Sequence, residues 1–289
     1  MDGAASPPDD DAAGASRGNA GAAAVSGPTS RSGPCSLPSA VGRDHHGAML
    51  CPRDHIIPGV SGGPQLSPSR CSGGSRVALL VTGASGMRLP VHLLRALAAS
   101  PAVERVHLVA SAGASQVLRH ELGDPPGARG LVEAASLASE EAAKVVVHRD
   151  SELDAPISSG SYRLAGTVVL PCSAATLGAL ATGAGTTLVH RAGAVALKER
   201  WPLVLGFRET PLSIVHLENL RRLAYAGAVV LPPIPAFYVE RPATAAAPSG
   251  GDAAPAETLE RFLDAYALRV VDHLGLPAPV ATAALRWPP

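Results

Sequence analysis

Val77-Ala78-Leu79-Leu80-Val81 runs without a polar residue into Thr82-Gly83-Ala84-Ser85-Gly86, and an apolar-periodic stretch to about residue 99 follows. A continuous apolar run is what a strand buried on both faces of a parallel sheet requires; a strand with one wet face alternates instead. The glycines allow a tight turn and a close approach of backbone to an anion, and the helix after them starts with unpaired N–H groups. This strand–turn–helix unit recurs along the chain. Apolar strand signals return at 106–110, 144–148, 167–170, 202–207 and 228–231, with helical signals at 115–122, 174–181, 189–199, 214–226 and within 254–274. Strands alternating with helices imply right-handed crossovers and a three-layer α/β fold with a doubly wound parallel sheet. In such a sheet ligands bind outside the carboxyl ends of the strands, so chemistry is expected in the strand-to-helix turns.

The 289 residues are 46% hydrophobic, enough to bury a substantial core. Residues 1–75 are rich in Gly, Ala, Ser and Pro without apolar periodicity, a composition that buries too little surface to offset its ordering entropy. A disordered tail over 1–75 and a folded domain over 76–289 are therefore expected. His45, His46, Cys51 and His55 fall in that tail at spacings that match no ligand pattern, and there is no Cys-x-x-Cys pair, so no metal site is expected. A formal net charge of zero gives no electrostatic drive toward nucleic acid or an anionic membrane, and 3% aromatic content supplies no base-stacking platform. No apolar run approaches the roughly 18–20 residues of a membrane span, and the acidic first residues lack a signal-peptide core. A cytoplasmic location is the expectation.

Four turns carry candidate chemistry. The first is Gly83-Ala84-Ser85-Gly86. It also suits a short-chain dehydrogenase, but those enzymes need a lysine four residues after a tyrosine, and Gly166, Val229, Pro242 and Val270 occupy those places. In the second, Ser173 and Thr176 follow the strand at 167–170 and place hydroxyls at a helix start. Arg191 and Lys198 then share a helical face, and Lys198 is one of only two lysines in the chain. Two cations on one face suit an anionic phosphate. The third turn sets Arg208 and Glu209 just past a strand end, where a carboxylate beside an arginine stays ionised and serves as a base. In the last, Pro232, Pro233 and Pro235 stiffen the segment leading to Tyr238. Each signal alone has a plainer reading: a tight turn, an N-cap serine, a solvated basic face, a surface ion pair.

Taken together, GASG (83–86), LPCSxxTL (170–177), RAxxVxLKERxPLVL (191–205), RETPL (208–212), HLxNL (216–220), GAVxxPPxPAFY (227–238) and RVxDxLGLP (269–277) resemble the flavin prenyltransferase (UbiX-like) family, over residues 76–277 and none of the tail. The resemblance implies a flavodoxin/Rossmann-like fold and transfer of a dimethylallyl group from dimethylallyl phosphate to N5 and then C6 of reduced FMN. The product is prenylated FMN for a UbiD-type decarboxylase. It also implies a homo-dodecamer with sites between subunits. By position it assigns FMN contacts to Ala84, Ser85, Gly86, Ser111, Ser173, Ala174, Ala175, Thr176 and Arg208. Arg191, Lys198, Tyr238 and Arg269 would surround the prenyl phosphate. Glu209 would be the acid/base and Glu121 a second carboxylate, with Lys198 and Ser85 assisting catalysis. The chain departs from the family between residues 87 and 92, where Leu89, Pro90 and His92 stand in place of Tyr, Gly and Arg. Two alternatives follow from that departure: an FMN-dependent decarboxylase of a cysteine-containing substrate, which would use a histidine such as His92, and a non-catalytic FMN-binding subunit.

Overall fold

Strand β1 (Ser75–Val81) has parallel neighbours on both sides, β2 (Val103–Ala110) and β4 (Gly166–Cys172), as its unbroken apolar run requires. Its residues from Val77 to Val81 are completely buried. The sheet extends outward through β3 (Val145–Arg149) on one side and through β5 (Leu203–Phe207) and β6 (Val229–Val230) on the other, in the order β3-β2-β1-β4-β5-β6 with every pair parallel. This computed structural model describes residues 75–123, 125, 127–235 and 255–277, all within one unit, Leu66–Pro289. The expectation of disorder for the N-terminal segment lies outside them, apart from Ser75, which opens β1.

The helices are α1 (Arg88–Ala99), α2 (Ala112–Leu122), α3 (Ala128–Ala135), α4 (Ser139–Ala142), α5 (Ala174–Thr182), α6 (Leu188–Glu199), α7 (Ile214–Tyr225) and α8 (Pro255–His273). The period-2 alternation of β1 sorts them into two layers. Val77, Leu79 and Val81 point to the face covered by α1, α2, α3 and α8, while Ala78 and Leu80 point to the face covered by α5, α6 and α7. The expected three-layer, doubly wound flavodoxin/Rossmann-like architecture is the one observed. Helices α3 and α4 are additions to the sequence reading, which found no element between residues 122 and 144.

From β1 the chain steps outward to β2 and β3, then returns to β4 beside β1 and steps the other way. The crossover connections diverge at this β1/β4 boundary and leave a crevice at the strands' carboxyl ends.

Candidate functional site

A cleft of about 580 Å³ opens in that crevice. Four strand ends contribute to it: Gly83, Ala84 and Ser85 after β1, Ser111, Ala112 and Gly113 after β2, Ser173, Ala174, Ala175 and Thr176 after β4, and Arg208 and Glu209 after β5. Asp150, Thr187, Val189 and His190 close the wall. The size lies within the ~300–1,000 Å³ usual for small-molecule sites. Most of these residues are small, so backbone dominates the lining.

Thr82, buried at the end of β1, ties two of the turns together. Its Oγ1 donates to the Pro171 carbonyl at 2.7 Å and accepts from the Ser173 N–H at 2.8 Å. Gly83 abuts Gly113, whose carbonyl carbon would lie 3.0 Å from any Cβ placed at residue 83. The turns after β1 and β2 thus touch this closely because residue 83 lacks a side chain.

Helices α2 and α5 both begin at the cleft, capped by their own serines. Ser111 Oγ accepts from Ala114 N at 3.1 Å, and Ser173 Oγ accepts from Thr176 N at 3.3 Å. The first N–H groups of these helices, on Ala112 and Gly113 and on Ala174 and Ala175, have no carbonyl one turn earlier to receive them. Two positive helix ends therefore face the same space, an arrangement suited to a phosphate. Arg208 adds a full charge. Cys172, directly before the α5 cap, is not a nucleophile: burial pushes its thiol up to about 12.

Two further helix starts at this edge are filled by acidic residues from elsewhere in the chain. At α1, the Glu121 carboxylate accepts from Gly86 N at 3.1 and 3.0 Å and from Met87 N at 2.7 Å. At α6, Asp150 receives Leu188 N on its carbonyl at 2.7 Å and Val189 N on its carboxylate at 2.9 Å. His190, one turn into α6, has Nδ1 3.3 Å from Thr187 Oγ1. Sequence reasoning missed Asp150, Thr187 and His190. The signal available was position, since Asp150 follows the strand read at 144–148 and His190 precedes Arg191.

The structure thus gathers Ala84, Ser85, Ser111, Ser173, Ala174, Ala175, Thr176, Arg208 and Glu209 into one cleft. It places the remaining candidates elsewhere. Gly86 turns with φ +107° and gives its N–H to Glu121 rather than to the cleft. Arg191 is exposed and donates to the Ser158 carbonyl at 3.0 Å, and Lys198 pairs with Glu199 at the far end of α6. Arg269 is exposed on α8. Tyr238 lies outside the described residues. His92, on which a decarboxylase reading would rest, is buried between α1 and α8, with Nδ1 2.6 Å from Asp264 and Nε2 3.0 Å from Glu260.

Comparison with known proteins agrees with this geometry. A family model described as flavoprotein matches residues 65–254. The chain is 39% identical over 212 residues to a probable UbiX-like flavin prenyltransferase of Streptomyces sp. (strain D7), covering 73% of this chain and 91% of the relative. It is 42% identical over 162 residues to the flavin prenyltransferase UbiX of Synechocystis sp., covering 55% of this chain and 78% of that one. Among solved structures, AnUbiX (PadA1) in complex with FMN and dimethylallyl pyrophosphate superposes with a TM-score of 0.59 at 33% identity, over 75% of this chain and 99% of the other. A dodecameric FMN-dependent UbiX-like decarboxylase from Escherichia coli O157:H7 superposes with a TM-score of 0.58 at 36% identity, over 74% of this chain and 100% of the other.

Proposed function

The chain belongs to the flavoprotein family, among its flavin prenyltransferases, and on that premise we propose that it transfers a dimethylallyl group from dimethylallyl phosphate to reduced FMN. The observation that supports this most directly is the cleft where the α2 and α5 N-termini meet Arg208 and Glu209 at the β1/β4 divergence.

The residues present fit a flavin mononucleotide. The phosphate would sit on the free N–H groups of α2 and α5 with the Ser111, Ser173 and Thr176 hydroxyls around it. Ala84, Ser85, Ala174 and Ala175 offer a flat, low wall to a planar ring, and Arg208 approaches from β5; Gly86 shapes the turn that holds Ala84 and Ser85. Reduced FMN supplies the nucleophilic N5 and C6. In the transfer the prenyl C–O bond breaks, inorganic phosphate leaves, and two bonds to the ring form. The N5 proton is released with the departing phosphate, and the proton released at C6 balances the one gained by the prenyl alkene. Glu209, on the cleft wall, would hold and return that proton. Cations must take up the charge of the departing phosphate. Arg191, Lys198 and Arg269 lie away from this chain's own cleft, so a second copy is the source of that set, together with Tyr238. A homo-dodecamer is the assembly proposed, and a UbiD-type decarboxylase is the consumer of the product.

The test is direct. Protein incubated anaerobically with reduced FMN and either dimethylallyl phosphate or the pyrophosphate should yield a flavin heavier by one prenyl unit. A flavin bound by the protein but unchanged in mass with both donors overturns the reading.

A further inference from the structure

Helix α6 meets the cleft by its first turn, and Asp150 fixes that turn from the end of β3. Its carbonyl takes the Leu188 N–H at 2.7 Å and its carboxylate the Val189 N–H at 2.9 Å. The next residue, His190, is half-buried in the cleft wall beside Thr187. Two contacts hold its side chain. Thr187 Oγ1 lies 3.3 Å from Nδ1. The backbone at Gly185 passes so close that a Cβ there would collide with the His190 Cβ and stand 3.0 Å from Cγ. With the Thr187 hydroxyl donating to Nδ1, the ring carries its proton on Nε2. Among the described residues that nitrogen has no hydrogen-bond partner. A donor fixed in a cleft wall and unused by the protein suits an acceptor on a ligand.

Position along the sheet edge says which part of a ligand His190 meets. Strands β3 and β5 are four places apart in the sheet, about 19 Å at the usual strand spacing. Arg208 and Glu209 stand past β5, whereas Asp150 and the start of α6 stand past β3. The free N–H groups of α2 follow β2, the strand next to β3. Among the described residues lining the cleft, only Arg208 and His190 can carry a positive charge, and they occupy opposite ends. We propose that His190 is a phosphate ligand: its Nε2–H donates to the phosphate held by the α2 N–H groups, so the cleft grips its flavin by the phosphate at the β3 end with the ring toward Arg208. The Asp150 carboxylate stands at that same end and repels an anion; its bond from the Val189 N–H and a protonatable imidazole on the same wall offset that repulsion. The inference rests on the flavin reading above and adds to it a residue and an orientation.

The experiment is titration of the purified chain with FMN and with riboflavin, which has the same ring and ribityl chain but no phosphate, followed by flavin fluorescence. Wild type is compared with His190→Ala and with His190→Leu, which keeps the bulk of the side chain and loses both nitrogens. Each variant should weaken FMN at least about tenfold and leave riboflavin within about twofold, because the lost hydrogen bond is one to a charged phosphate. A merely structural role for His190 weakens both flavins in parallel and leaves the ratio of their dissociation constants where it was. An unchanged ratio overturns the proposal, as does wild-type protein that binds riboflavin as tightly as FMN. If one variant fails to fold, the other decides alone. Wild-type protein that binds neither flavin overturns the flavin reading itself, an outcome separate from the other two.

Discussion

Thr82 Oγ1 has a donor and an acceptor role to fill, and both partners are backbone groups of the β4–α5 turn. A valine of the same shape would leave the Ser173 N–H unpaired next to the cleft and the Pro171 carbonyl with only its 3.3 Å bond from the residue-82 N–H. Thr82→Val should therefore cost about 2 kcal/mol in urea unfolding and weaken FMN binding, because Ser173 caps α5 from that turn. Thr82→Ser should retain both properties. His107 poses a different residue-scale problem. Its ring lies buried with Nδ1 2.9 Å from His148 Nε2 and Nε2 3.0 Å from the Tyr162 hydroxyl. Burial, then the neighbouring His148, Arg105 and Arg76, lower its pKa from 6.5 to about 4. Between those two values the unfolded chain binds a proton that the folded chain refuses. Stability contributed by the neutral ring is complete above 6.5, declines as the pH falls through this window, and levels off below about 4. The full decline is roughly 3 kcal/mol. Urea midpoints between pH 7.5 and 4 should fall less steeply for His107→Asn than for wild type; parallel slopes would contradict this assignment.

At the scale of elements, the α1–α8 contact absorbs a histidine at a position where the resemblance implies arginine. The structure brackets His92 with Asp264 and Glu260, residues one turn apart on α8. Arg88, one turn earlier on α1, also meets Glu260, so Arg88 and His92 of α1 face two carboxylates of α8. The imidazole is 5% exposed, which makes this pair of bonds better shielded than a surface ion pair. His92→Ala should cost about 2–3 kcal/mol of unfolding free energy through lost packing and two lost hydrogen bonds, whereas His92→Arg should recover most of it. Element type was legible wherever apolar periodicity lasted: β1, α6 and α7 agree with the sequence reading within one or two residues. It was not legible in α3 and α4, whose 8 and 4 residues are too short for a helical period to stand out. The cleft residues were legible because a doubly wound sheet sends all its turns to one edge. Asp150 and Glu121 were harder, since a carboxylate's service to another helix's N–H groups depends on tertiary proximity that no local pattern encodes.

At the scale of the whole molecule, the single chain leaves two needs unmet, and one event answers both. Ile214, Val215 and Leu217 on α7 are 70%, 62% and 47% exposed, and Ile234 beyond β6 is 68% exposed, an apolar area that water disfavours. The cleft, meanwhile, has Arg208 and Glu209 but not the cations that its phosphate chemistry calls for, because Arg191, Lys198 and Arg269 face other directions. A copy of the chain seated so as to cover the apolar area and present its own cations would complete the site. No local reading of sequence reveals this, because Arg191 and Lys198 are one helical face in the chain and on this proposal serve another chain's cleft. Val215→Asp on this account should lower the mass in light scattering toward the 29.1 kDa protomer and abolish prenyl transfer together. A sharper result comes from two variants that are each inactive, Glu209→Gln and Lys198→Ala, produced together in one cell. If the two residues of a working site come from different subunits, random mixing makes about a quarter of the sites wild type at both positions, and about a quarter of the activity should return. If they came from the same subunit every site would carry one defect, and prenyl transfer by the mixed assembly would stay at the level of the single variants.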